Sequence, residues 1–101
     1  MSDEPQSGQP LRLASRLDVV AAEELHAQVL KRVSDDDPLS IDARDVEMVD
    51  TPAIQVLLAA AAHQLDRGAR FLVINPSTAF AEAMTLLGLS SKFEEWSETN
   101  G

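Results

Sequence analysis

The sequence contains no cysteine and no tyrosine, and only one tryptophan and three phenylalanines in 101 residues. Without cysteine there is no disulfide framework, no thiolate nucleophile and no thiolate metal site. With aromatics at 4%, the core has to be built from Leu, Val, Ile and Ala, and few rings are on hand to stack a nucleobase. Glycine is scarce as well: the four stand isolated at positions 8, 68, 88 and 101. A glycine-rich phosphate loop is therefore absent, and so is a G-x-S-x-G nucleophile elbow. No apolar run approaches the ~20 residues that a membrane-spanning helix needs. The opening "MSDEPQSGQP" has neither the basic n-region nor the apolar h-region of a secretory signal, so a cytoplasmic protein is expected. Basic residues are few, with 8 Lys and Arg against 17 Asp and Glu and a net charge of -9. That sign repels nucleic acid and anionic headgroups at a distance. Direct nucleic-acid binding is not expected, and a partner with a basic face is.

What is present is an ordinary globular composition, 45% apolar and 25% charged, in a length that suits one domain. Residues 1–10 read as a flexible tail, 11–96 as the folded domain and 97–101 as a second tail. "LRLASRLD" alternates as a half-buried strand, with Leu11, Leu13 and then Ala14 or Leu17 facing inward. Asp18 is placed to cap the next helix. In "VVAAEELHAQVLKRV", Ala22, Leu25, Val29 and Val33 form one amphipathic stripe, and Lys31 and Arg32 sit where the helix dipole favours cations. "SDDDP" reads as a solvated turn, because its aspartates lack the alternating spacing and glycine of a calcium loop.

"LSIDA" is a second strand and "VEMVD" a short strand-like run. Asp50-Thr51-Pro52 then opens a helix to Asp66 with an apolar stripe of Ile54, Leu57, Leu58, Ala61 and Leu65. Val56, Ala59, Ala60 and Ala62 make its other side small or apolar too, so it is expected to lie mostly buried. Thr51 is the expected N-cap, with Pro52 as first helical residue, and Gly68 the expected stop. "RFLVIN" is a nearly continuous apolar run, as a central strand covered on both faces or a parallel strand would be. In "NPSTAFAEAMTLLGL" the expected cap is Ser77, the buried stripe Phe80, Met84 and Leu87, the stop Gly88, and Leu89 follows as an apolar contact. "KFEEW" is a short strand or a helical turn. Alternating strands and helices imply an α/β fold with a largely parallel sheet and right-handed crossovers.

Catalytic constellations are missing. His26 and His63 fall in separate helices without a spacing that pairs them on a metal, and no carboxylate pair is shielded enough for raised-pKa acid chemistry. No catalytic residue, metal or cofactor is expected, and the chain reads as non-enzymatic.

In order and spacing, "LRLASRLD", "LSIDARDVEMVDTPAIQVLL" and "GARFLVINPSTAFAEAMTLLGL" together resemble the STAS domain, the module of bacterial anti-sigma-factor antagonists. The resemblance covers residues 11–96. It implies a mixed four- to five-stranded sheet with helices mainly on one side, and a protein–protein interaction module without catalytic residues. In antagonists of this type the hydroxyl residue after the Asp at this helix start is phosphorylated by a partner serine kinase, and Thr51 holds that position here. The chain departs from the usual Ser-Ser-Gly or Ser-Gly with Thr51-Pro52-Ala53. Pro52 removes a backbone donor that could hold a phosphate. Similar Thr-containing motifs occur in STAS subunits of lipid-transport ABC complexes and in stand-alone STAS proteins associated with chemotaxis, which the Ala-rich "DTPAIQVLLAAAA" resembles.

The leading expectation is an adaptor that docks a regulatory kinase, chemotaxis component or other signalling partner through Asp18, Asp50, Thr51, Pro52 and Gln55, with Thr51 as its phosphorylation site. The alternatives are a constitutive subunit bound to a transporter ATPase, and a nucleotide or small-molecule-binding domain. For the last, the sequence offers no phosphate loop.

Overall fold

The computed structural model describes residues 10–32 and 38–97. The tails, Val33 and most of "SDDDP" lie outside the described residues, and so do the expectations made for them. The elements run β1 (Leu11–Arg12), β2 (Arg16–Leu17), α1 (Val19–Arg32), β3 (Leu39–Asp42), β4 (Met48–Val49), α2 (Thr51–Asp66), β5 (Phe71–Ile74), α3 (Thr78–Leu86) and α4 (Ser90–Ser97). The α/β fold is as expected. Its five short strands divide into a three-stranded sheet, ordered β1-β3-β5, and a two-stranded β2-β4 sheet. All three pairings among the described residues are parallel.

The two sheets are one ribbon with a break. Leu11 pairs with Ile41, an offset of 30 residues, and Arg16 pairs with Met48, an offset of 32. The β3–β4 connection thus carries two residues more than β1–β2, and they are thrown outward as the turn at Arg44 and Asp45. Leu13 N–H donates to the Asp42 carbonyl at 3.0 Å, while Glu47 and Met48 N–H both donate to the Ser15 carbonyl at 2.7 and 3.1 Å. These bonds keep the chains together across the break. They also explain why "LRLASRLD", expected as one strand, is two: Leu13 and Leu17 are buried, but Ala14 to Arg16 bulge out and are exposed.

In the three-stranded sheet, Leu11, Leu39, Ile41, Phe71 and Val73 share one face and are all buried. Arg12, Ser40, Leu72 and Ile74 share the other, which stays partly open. Of the two readings of "RFLVIN", the parallel strand holds and the central strand covered on both faces does not. β5 is an edge strand covered on one face, and β3 is central. The helices close the buried face, with Ala22, Leu25 and Val29 from α1 and Ala53, Ile54, Leu57 and Ala60 from α2. Each fully buried Leu, Ile, Phe or Met contributes about 1.5–3 kcal/mol of transfer free energy.

The α2 stripe differs from expectation by one position. Gln64 is fully buried, whereas Leu65 is 74% exposed. The amide accounts for the difference: Gln64 Nε2 donates to the Arg70 carbonyl at 3.0 Å, so a polar residue can occupy the core-facing position. Gly68, at φ +75°, then ends the helix. Its N–H donates to Leu65 and the Ala69 N–H to Gln64, the paired bonds of a Schellman stop.

α3 buries Phe80 and Met84, but Leu87 lies just past its end and is 45% exposed, against expectation. Gly88, at φ +76°, donates to Thr85, and Leu89 N–H donates to Met84, closing the helix as expected. "KFEEW" is part of the helix α4. Trp96 is buried edge-to-face on Phe71 at 5.0 Å, and Phe93 meets Phe80 at 5.8 Å.

Candidate interaction surface

Parallel pairing of β2 with β4 sends both chains out of the sheet at the same end, and each turns at once into a helix. Leu17 is the register partner of Val49, and Asp50 N–H donates to the Leu17 carbonyl at 2.9 Å. Asp18 and Asp50 are the next residues of these two strands. The expected neighbourhood of Asp18 and the Asp50-Thr51 turn is therefore present, with the N-termini of α1 and α2 side by side.

The two aspartates are used differently. Asp18 Oδ1 accepts from Ala21 N–H at 3.0 Å and caps α1. Asp50 occupies the N-cap position of α2 in extended conformation, φ -97° and ψ 158°, yet its side chain makes no capping bond. The cause is local. Pro52, at the second helical position, has no N–H, and the Ala53 N–H is taken by the Asp50 carbonyl at 3.1 Å. The two donors that an N-cap side chain ordinarily receives are both gone. This corrects the expectation that Thr51 is the cap and Pro52 the first helical residue: Thr51 is the first residue of the helix. Its side chain is freed from capping. Thr51 and Gln55, one turn apart, are exposed on one face of α2, while Asp50 and Pro52 are half-buried. Val19 and Val20 beside them are 55% and 67% exposed.

His26 and His63 are both exposed and on different helices. Among the described residues no three His, Cys, Asp or Glu side chains converge as metal ligands.

A second polar cluster, not anticipated from the sequence, lies at the carboxyl end of β3 and β5. Asp42 is only 4% exposed. It accepts from Arg44 Nη2 at 2.9 Å, from Arg44 Nε at 3.1 Å and from the Arg44 backbone N–H at 3.1 Å. These bonds, against a smaller opposing effect of burial, hold its carboxyl below the usual aspartate range, with a further bond from Asn75. Asn75 stands at φ +50°, a left-handed conformation that asparagine tolerates better than most residues. Ser77 caps α3 by accepting from Phe80 N–H at 3.1 Å, and it donates to the Val46 carbonyl at 2.7 Å. The cluster pins the extra turn of the β3–β4 connection to the start of α3. Beside it, an open depression of about 800 Å³ is lined by both signs of charge, Arg44 with Asp45 and Glu47. The one sequence signal for this cluster was Asn-Pro-Ser after an apolar run; the Asp42–Arg44 pair left none.

The fold and this surface define a small parallel α/β domain that presents two adjoining helix N-termini. A family model described as "Mlab, STAS domain" matches residues 2–94, and the chain belongs to the STAS family. A comparison with curated proteins gives no match. Membership makes the chain a protein-interaction domain. No helix of the described residues is long and apolar enough to cross a membrane.

Proposed function

We propose that this chain is a non-catalytic adaptor of bacterial signalling, working in the cytoplasm. It docks a regulatory kinase or another signalling protein on the surface formed by Asp18, Asp50, Thr51, Pro52 and Gln55. One observation supports this reading above the rest. At the start of α2 an aspartate holds the cap position without capping, and the hydroxyl next to it is exposed and adjoins a second helix start. Among the described residues neither the Asp50 carboxylate nor the Thr51 hydroxyl caps a helix, and both are available to a partner.

On this reading Thr51 is the switch. A phosphate brings about -1.5 to -2 charges. The helix dipole favours it by about 0.3–1 kcal/mol, and the neighbouring Asp50 and Asp18 carboxylates oppose it by a similar amount. The fold is barely perturbed, and the effect falls on the interface, where a desolvated dianion facing like charge costs far more.

A second reading has its own observation. Pro52 and the engaged Ala53 N–H leave few donors to hold a phosphate, which favours Thr51 as an unmodified contact in a constitutive complex with a transporter ATPase. A paired capture from native lysate with wild-type and Thr51→Glu baits separates the two. A kinase or chemotaxis component that is held by wild type and lost with Glu supports the switch. An ATPase held equally by both supports the constitutive subunit. Capture unaffected by Thr51→Glu and by Gln55→Arg removes this surface as the docking site.

A further inference from the structure

Leu65 is the anomaly of α2: an aliphatic side chain on a helix facing the body of the protein, left 74% exposed. It stands on the wall of a half-enclosed groove between the second half of α2, the start of β5 and α4, away from the Thr51 surface. Leu58, Leu65, Leu72 and Trp96 give this groove an aliphatic and aromatic lining, and Arg70 and Lys92 flank it. Its volume is about 540 Å³, within the range of small-molecule sites.

We propose that this groove binds a single-chain aliphatic carboxylate, with the chain along Leu58 and Leu65 and the head between Arg70 and Lys92. Charge selects the occupant. The protein carries -9 overall, yet two cations meet here against one carboxylate, Glu95, which approaches Lys92 no closer than 3.9 Å. Arg70 makes no ion pair among the described residues. A small anion with an apolar tail is thus drawn to this groove, while a cationic or neutral chain gains nothing from its rim. A nucleotide fits poorly, because Trp96 is 3% exposed and packed edge-to-face against Phe71, leaving no open ring face for a base. A second copy of the chain brings another -9 and is repelled in bulk.

The test is a titration of the full chain with dodecanoate, kept below its aggregation threshold, against dodecanol and dodecyltrimethylammonium. The readouts are Trp96 emission and the amide shifts of residues 58–72. Dodecanoate should give a saturable change, with the other two probes clearly weaker. Arg70→Glu and Leu65→Glu, both at exposed positions, should weaken it by about tenfold or more, since attraction is replaced by repulsion. Lys92→Ala serves as a milder third variant, and unchanged thermal melting confirms that each is folded. The proposal is overturned by the absence of a saturable change, by equal binding of all three probes, or by dodecanoate binding that ignores every substitution. It is also overturned if wild-type chain dimerises and Leu65→Glu dissociates the dimer, because a second copy then fills the groove.

Discussion

Two positions that look alike in the sequence should behave differently when their side chains are removed. Ser77 and Asp50 each hold the N-cap of a helix and each is a preferred capping residue. In the structure only Ser77 caps. Replacing it with Ala removes the bond to Phe80 N–H, worth about 1 kcal/mol. It also orphans the Val46 carbonyl, which loses its 2.7 Å donor, at a further net cost of about 1 kcal/mol. The total of about 2 kcal/mol corresponds to a fall in Tm of roughly 10 °C for a domain of this size. Asp50→Ala removes no capping bond. It loses a favourable interaction with the helix dipole, about 0.3–1 kcal/mol, and relieves repulsion from the neighbouring Asp18, so its cost should stay below about 0.5 kcal/mol. The single tryptophan, Trp96, is buried and reports unfolding directly, so urea denaturation followed by its emission measures all three proteins. If Asp50→Ala destabilises as much as Ser77→Ala, the carboxylate is structural after all and is not reserved for a partner.

Two further outcomes follow from the same geometry. The Asp42 carboxyl is held below its ordinary value of 3.8, so on acidification the unfolded chain takes up this proton first. Its contribution to stability is present above that value and is lost as the pH falls through the lower, folded-state value. Asp42→Asn should therefore flatten the acid limb of a stability–pH curve while costing about 1–2 kcal/mol near neutrality, and an unchanged acid limb would contradict this. Gly88 sits at φ +76°, and a methyl group added at its Cα would meet nothing within 4 Å. Gly88→Ala should consequently cost about 1–2 kcal/mol from backbone strain alone, and a neutral result in thermal melts would show that the chain relaxes out of the left-handed conformation.

Much of this protein can be read from local chemistry. The stripe of Ala22, Leu25 and Val29, the caps Asp18 and Ser77, and the stops Gly68 and Gly88 follow from helical periodicity and from what each side chain or missing Cβ does to its own backbone. The Asp-Thr-Pro turn and the parallel α/β order were visible for the same reason. The misreadings share another cause. Leu65 and Leu87 are apolar and correctly spaced, yet exposed, because α2 turns Ala53, Ile54, Leu57, Ala60 and Gln64 to the core, and α3 stops at Leu86. The cap position of α2 falls on Asp50, one residue before Thr51, and its carboxylate stays unused because its own backbone carbonyl takes the Ala53 N–H. The sheet's division at the extra turn, the Asp42–Arg44–Asn75 cluster and the meeting of Asp18 with Asp50 all join segments that lie far apart in the chain. Sequence by itself determined the elements and their order, since those depend on near neighbours. Tertiary structure decided which side chains are spent on the fold and which are left for a partner, because that depends on who arrives first at each donor.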